Sequence, residues 1–229
     1  KKQIKFIIFH YTGMNKESDA INKLTNIQSQ VSCHYLIKNS GKIIKIVPNL
    51  YIAWHAGKSS WKRLNSLNKY SIGIEITNPG SQFGYKKFSK KQISTILRLS
   101  KFLVKKYKIN NKNILGHSDI APDRKKDPGE LFDWSRLARK GIGIWPNSIK
   151  TSPWHRPLKL NDQNSEVKLW QSKLAELGYG LVQDGIYGEN TELVVMAFQR
   201  HYRQARIDGV LDHGTSNILD HLIEYAKAL

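Results

Sequence analysis

The periodicity of the apolar residues changes once along the chain, and that change limits the fold more than any other feature. Up to about residue 145, short β-rich runs are interleaved with one long helical pattern; beyond residue 164 only helical spacing remains. Segments 5–10, 31–37, 41–47 and 71–77 read as strands, the middle two joined into a hairpin through Asn39-Ser40-Gly41. Within 71–77 the alternation is strict, so Ile72, Ile74 and Ile76 face one way while Gly73, Glu75 and Thr77 face the other. Ser89 stands as an N-cap before a helix in which Ile93, Ile96, Leu97, Ser100, Leu103 and Val104 recur at helical spacing, ending near Tyr107. A short strand at 114–117 then leads into a charged loop, 118–129, that carries two prolines. This predicts an α/β unit with a mixed central β-sheet flanked by helices.

The remainder predicts a small three-helix domain. Val167, Leu169, Trp170, Leu174 and Leu177 mark its first helix, and segments 191–202 and 215–225 mark the second and third. The turns Asp184-Gly185 and Asp208-Gly209 lie 24 residues apart, the signature of an internal duplication. Between the units, 141–160 is rich in Gly and Pro, and its two tryptophans are expected to pack on something. We divide the chain into a domain at 1–145, a linker at 146–163 and a helical domain at 164–229.

Charge supports that division. The net charge is +19. Residues 1–157 hold 30 basic and 8 acidic side chains, a net of +22, whereas residues 158–229 hold 7 and 10, a net of −3. Such a basic unit favours a polyanionic partner, but its lysines are scattered as on an ordinary solvated surface. No nucleic-acid motif accompanies them and the aromatics do not interleave with them, so no nucleic-acid partner is expected. No apolar run reaches membrane-spanning length. Cys33 is the one cysteine, which excludes an intrachain disulfide and a Cys-based zinc ribbon.

Three residues could carry metal chemistry. His10 and His117 each end an apolar strand, and Asp127 follows in the Pro-containing loop. Two imidazoles and a carboxylate with an open fourth position make a catalytic zinc set. With 8 His and 18 acids in the chain, spacing alone allows many such triples. Glu75 sits mid-strand among apolar residues. It is either a general base or an edge-strand side chain facing solvent.

Five ordered motifs resolve these alternatives. They are Ile8-Phe9-His10-Tyr11-Thr12; Val31-Ser32-Cys33-His34-Tyr35-Leu36-Ile37; Ala53-Trp54-His55-Ala56-Gly57; Leu67-Asn68 with Ser71-Ile72-Gly73-Ile74-Glu75; and Gly116-His117-Ser118-Asp119 with Lys125-Lys126-Asp127-Pro128-Gly129. Residues 4 to about 145 thereby resemble the zinc-dependent N-acetylmuramoyl-L-alanine amidases of the AmpD/AmiD type, the amidase-2 family. The helical unit resembles the peptidoglycan-binding domain often attached to them, through Leu174-Ala175-Glu176-Leu177-Gly178-Tyr179, Asp184-Gly185, Ala197-Phe198-Gln199-Arg200 and Asp208-Gly209.

The resemblance implies that His10, His117 and Asp127 bind Zn²⁺, that Glu75 is the general base, and that Lys125 stabilises the oxyanion. It implies hydrolysis of the amide between N-acetylmuramic acid and L-alanine, with peptidoglycan or muropeptides as substrate. His55, Trp61 and Asn78 are expected to contact that substrate. Ser66 and Lys69 depart from the Arg and Asp that relatives often carry, which bears on stem-peptide contacts and not on the metal. A recognition protein that binds without cleaving is the competing reading, and it often lacks a ligand that is present here. The appended unit implies work on polymeric wall, in the cell envelope or periplasm, against a cytoplasmic recycling role. The chain is expected to act as a monomer.

Overall fold

The protein is described by a computed structural model at residues 3–146 and 156–228; half of the expected linker, 147–155, lies outside them. Its main sheet has five strands in the order β3-β2-β6-β1-β7. These are β1 (Phe6–Tyr11), β2 (Tyr35–Ile37), β3 (Ile43–Lys45), β6 (Ser71–Ile76) and β7 (Ile114–Gly116), with a separate two-stranded ribbon of β4 (Ser60–Trp61) and β5 (Leu64–Asn65). Strand β1 runs parallel to β6 and β7, and β2 runs parallel to β6 but antiparallel to β3. The sheet is therefore mixed, as expected.

Its two faces are covered differently. Ile7 and Phe9 of β1 and Ile72, Ile74 and Ile76 of β6 pack with Ile93, Ile96, Leu99 and Leu103 of helix α2 (Lys90–Tyr107). Ser89 closes the α2 N-terminus through a full capping box with Gln92, which satisfies two otherwise orphaned donors. The opposite face carries Phe6 and Ile8. These belong to one continuous core with Val194, Phe198, Leu219 and Leu222 of the helical unit. The two halves thus share a single packed interior.

Helix α1 (Glu17–Thr25) is not foreseen from the sequence. Only Ala20 and Leu24 of its nine residues are buried, too thin a stripe to produce a helical signal. The strand expected at 31–37 is regular only over Tyr35–Ile37; Cys33 and His34 still bond to Val47, Ile46 and Gly73, and Ser32 turns its N–H to the Trp54 carbonyl.

The helical unit comprises α5 (Ser165–Leu177), α6 (Glu189–Tyr202) and α7 (His213–Lys227). Its duplication is visible in hydrogen bonds. Gln171 Nε2 donates to Asp184, the Ile186 carbonyl and Thr191, and Gln171 Oε1 accepts from Gly185 N–H. Gln199 Nε2 donates to Asp208, the Val210 carbonyl and Thr215, and Gln199 Oε1 accepts from Asp208 and Gly209 N–H. Each Gln pins one Asp-Gly turn to the N-terminus of the next helix.

Trp61, expected at the substrate, lies in the seam between the units. It is 1% exposed, and its ring meets Tyr179 edge-on at 4.8 Å. Gly178 beneath it has φ +143°, and a Cβ there would come within 2.3 Å of the indole. The glycine that ends α5 therefore makes room for the tryptophan, which is occupied in packing and does not line the cleft described next.

Candidate active site

Parallel strands place functional side chains at their carboxyl ends, and three such ends meet here. His10 and Glu75 are register partners in β1 and β6. Both lie on the face opposite the α2 core. Strand β7 runs into α3 (His117–Ile120), so His117 emerges directly beside β1. The loop that follows folds back, with Ser118 N–H donating to the Asp127 carbonyl at 2.9 Å.

His10 Nδ1, His117 Nδ1 and Asp127 Oδ2 converge. The two nitrogens are 3.0 Å apart, and the oxygen is 3.0 Å from one and 3.1 Å from the other. All three residues are buried. Their tautomers follow from the outer contacts. Ser71 Oγ gives its hydrogen to the Leu67 carbonyl at 2.6 Å, so it accepts from His55 Nε2 at 3.1 Å. His55 Nδ1 then accepts the Nε2–H of His10 at 3.0 Å, which turns the Nδ1 lone pair of His10 inward. His117 reaches the same state by donating its Nε2–H to the Ala56 carbonyl at 3.2 Å. Two lone pairs and a carboxylate oxygen therefore face one point, an arrangement that one proton cannot satisfy and a divalent cation can. Their spacing suits a site whose metal–ligand bonds are about 2.0–2.2 Å.

Electrostatics agree. Burial and the neighbouring His117 push His10 down to about 4, against the pull of Asp127, so the imidazole is neutral at pH 7. Burial opposes the charge of Asp127, but the two adjoining imidazoles outweigh it and hold the carboxyl well below the usual range. Glu75 is the reverse case. Burial and then the Asp127 charge push its carboxyl well up, with Lys125 and Lys23 opposing. Its Oε2 is out of solvent and has no hydrogen-bond partner among the described residues.

The site floors a cleft of about 700 Å³ that His10, Glu75, His117, Lys125 and Asp127 line together. His55 also touches it, but its nitrogens already serve His10 and Ser71. It holds the His10 ring in orientation, and the strand residue behind it must be glycine, since a Cβ on Gly73 would lie 2.3 Å from the His55 ring. Asn78, the third expected substrate contact, is buried and bonded to the Lys86 carbonyl and Gly80 N–H, shaping the loop after β6.

The sequence reading misses one wall of the cleft. Leu193, Met196 and Arg200 of α6 line it from the helical unit. They stand at i, i+3 and i+7, one helical face. The remaining faces of α6 are also largely buried, and that all-round burial is the signal of a helix packed on both sides. A second buried cluster ties α6 to α3. Asp119, 1% exposed, accepts from Gly116 N–H, Tyr179 Oη and His201 Nδ1, each at 2.7 Å.

Comparison with known proteins settles the lineage. The family described as "N-acetylmuramoyl-L-alanine amidase" matches residues 1–130, and that described as "Putative peptidoglycan binding domain" matches residues 163–219. The chain is 37% identical to the N-acetylmuramoyl-L-alanine amidase AmiD of Escherichia coli over 240 residues, covering 97% of this chain and 83% of that protein. The chain belongs to the amidase-2 family. It is 41% identical to the 1,6-anhydro-N-acetylmuramyl-L-alanine amidase AmpD of E. coli, but over only 108 residues, 47% of this chain and 57% of the relative. A solved structure of E. coli AmiD with the substrate anhydro-N-acetylmuramic acid-L-Ala-D-gamma-Glu-L-Lys superposes with a TM-score of 0.84 at 34% identity, covering 97% of this chain and 89% of that one. The amidase-2 likeness to AmiD thus runs through the helical unit, whereas the match to AmpD spans about half the chain.

Proposed function

We propose that the protein hydrolyses the amide between the lactyl group of N-acetylmuramic acid and L-alanine, in peptidoglycan or its fragments, with Zn²⁺ held by His10, His117 and Asp127. The observation that carries this is the pairing of three converging donors with an unpartnered, buried carboxylate on the adjoining parallel strand. When bound there, zinc supplies a Lewis acid for the carbonyl and makes water more acidic.

The chain's own residues do the proton work. The Glu75 carboxylate takes a proton from the attacking water and later delivers it to the departing alanine nitrogen. Its raised pKa suits a group that must hold that proton in between, and such a group contributes roughly 10²–10⁴ in rate. The water oxygen bonds to the carbonyl carbon, the C–N bond breaks, and the products are a lactyl carboxylate and a free amine. Lys125, whose charge reaches both His10 and Glu75, stabilises the developing oxyanion. His55 fixes the ring of His10 and spares it from turning.

The helical unit favours polymeric wall as the substrate and the cell envelope as the place of action, with the protein working as a monomer. Among the described residues no helix is long and apolar enough to cross a membrane. The test is hydrolysis of a defined muramoyl peptide, with products read by mass. Cleavage at the lactyl–alanine bond that chelation abolishes and zinc restores supports the assignment; no cleavage by zinc-loaded protein overturns it.

A further inference from the structure

The cleft wall supplied by α6 carries a guanidinium with nothing to bind. Arg200 is 7% exposed and lines the cleft, yet it makes no hydrogen bond or ion pair with any described residue. The other arginine on the cleft, Arg124, is engaged through Nε and Nη2 by the carbonyls of Ala56 and Lys58. The nitrogens of Arg200 are not among the buried unpartnered atoms, so its guanidinium opens onto the cleft and offers five donors there in a fixed fork. Glu130 and Asp119 are close enough to act on Arg200 through their charge, but neither comes within ion-pair distance, and Asp119 already accepts three hydrogen bonds elsewhere.

Arg200 is also held firmly. Its neighbour His201 donates to Asp119 and stacks on Trp134 at 3.7 Å, and Gln204 Nε2 donates to the Phe132 carbonyl at 2.7 Å. The arginine therefore projects into the cleft from a helix pinned to the catalytic unit at its C-terminal end and just beyond it. Leu193 and Met196 complete the face with apolar surface.

We propose that Arg200 is a specificity-determining residue of the amidase, receiving a free carboxylate of the stem peptide through a forked, charge-assisted hydrogen bond. This rests on the amidase reading above. A γ-linked glutamyl residue, as in the ligand seen in the AmiD complex, leaves its α-carboxylate free, two residues beyond the scissile bond. A planar carboxylate is the group a guanidinium fork matches best. The helical unit then contributes to catalytic selectivity directly, as one side of the active site.

The experiment measures kcat/KM for two muramoyl peptides that differ only at this group, one with the free α-carboxylate and one with it converted to the carboxamide. Wild-type protein is expected to prefer the acid by about 10- to 100-fold, the worth of a charged hydrogen bond. In Arg200→Gln that ratio falls toward unity, and in Arg200→Lys it is intermediate. A general loss of structure lowers both substrates together and leaves the ratio at its wild-type value, and that result would overturn the proposal. So would a wild-type enzyme that cleaves both substrates equally well. Failure of the wild-type protein to cleave either one would instead bring down the amidase reading on which the proposal stands.

Discussion

The two halves of the molecule bury polar side chains in opposite ways. In the helical unit, Gln171 and Gln199 are buried with every donor and acceptor matched inside the unit. In the sheet unit, His10, His117 and Asp127 turn acceptors toward one another, and Glu75 Oε2 faces nothing. Satisfied burial holds a shape; burial left open awaits a ligand. The seam between the halves is of the first kind at Asp119 and of the second at Arg200, which separates a docking contact from a binding one.

The comparison can be broken at several depths. Asp127→Ala removes a ligand outright. Partners behind a ligand alone are worth about 10- to 100-fold in metal affinity, so this change should weaken zinc by more than 100-fold and take activity to background. Metal competition against a chelator measures it, and unaltered retention would refute the ligand assignment. His55→Ala takes away the acceptor behind His10. It should weaken zinc by about 10- to 100-fold, and excess zinc should restore much of the activity. A purely substrate-contacting His55 would instead raise KM with zinc affinity unchanged.

Gln199→Ala strips partners from Asp208 N–H, Gly209 N–H and the Val210 carbonyl. A cost of about 3 kcal/mol is expected in denaturant unfolding, within the range for orphaned buried groups. Because the two units share one core, the loss should appear as a single transition.

Two carboxyls, one in each half, should also respond oppositely to pH. Partial burial disfavours the Asp212 charge, but bonds from Thr215 and Arg203 hold its pKa below the usual value. Its contribution is thus present above the unfolded pKa of about 3.9 and is lost as pH falls below it. Glu75 is shifted upward, so in metal-free protein the folded state holds its proton more tightly than the unfolded one. Stability then declines as pH rises above the ordinary glutamate range. In Glu75→Gln that decline should flatten while the acid-side loss persists, as unfolding curves across pH would reveal.

Much of this arrangement is legible in the sequence. The strict alternation at 71–77 places Glu75 opposite the apolar face, and the ordered motifs single out His10, His117 and Asp127, which the fold brings within 3.1 Å of one another. The repeated Asp-Gly turns foretell the duplicated glutamine cradle. What escapes the sequence depends on contacts between distant segments. Trp61 reads as a substrate contact or as a core residue until Gly178 and Tyr179 are seen beside it. His55 does line the cleft, but nothing local in the sequence shows that Ser71 and His10 claim its nitrogens. Arg200 reads as part of a separate bundle, because no local pattern tells a helix which neighbour its second face will meet.

The most direct test of the central claim is one titration and one rate on the same protein: zinc stoichiometry and kcat for Glu75→Gln. The account predicts one zinc per chain, bound as in wild type, with kcat lower by about 10²–10⁴-fold. A Glu75→Gln protein that keeps its zinc and cleaves the lactyl–alanine bond at the wild-type rate would contradict it.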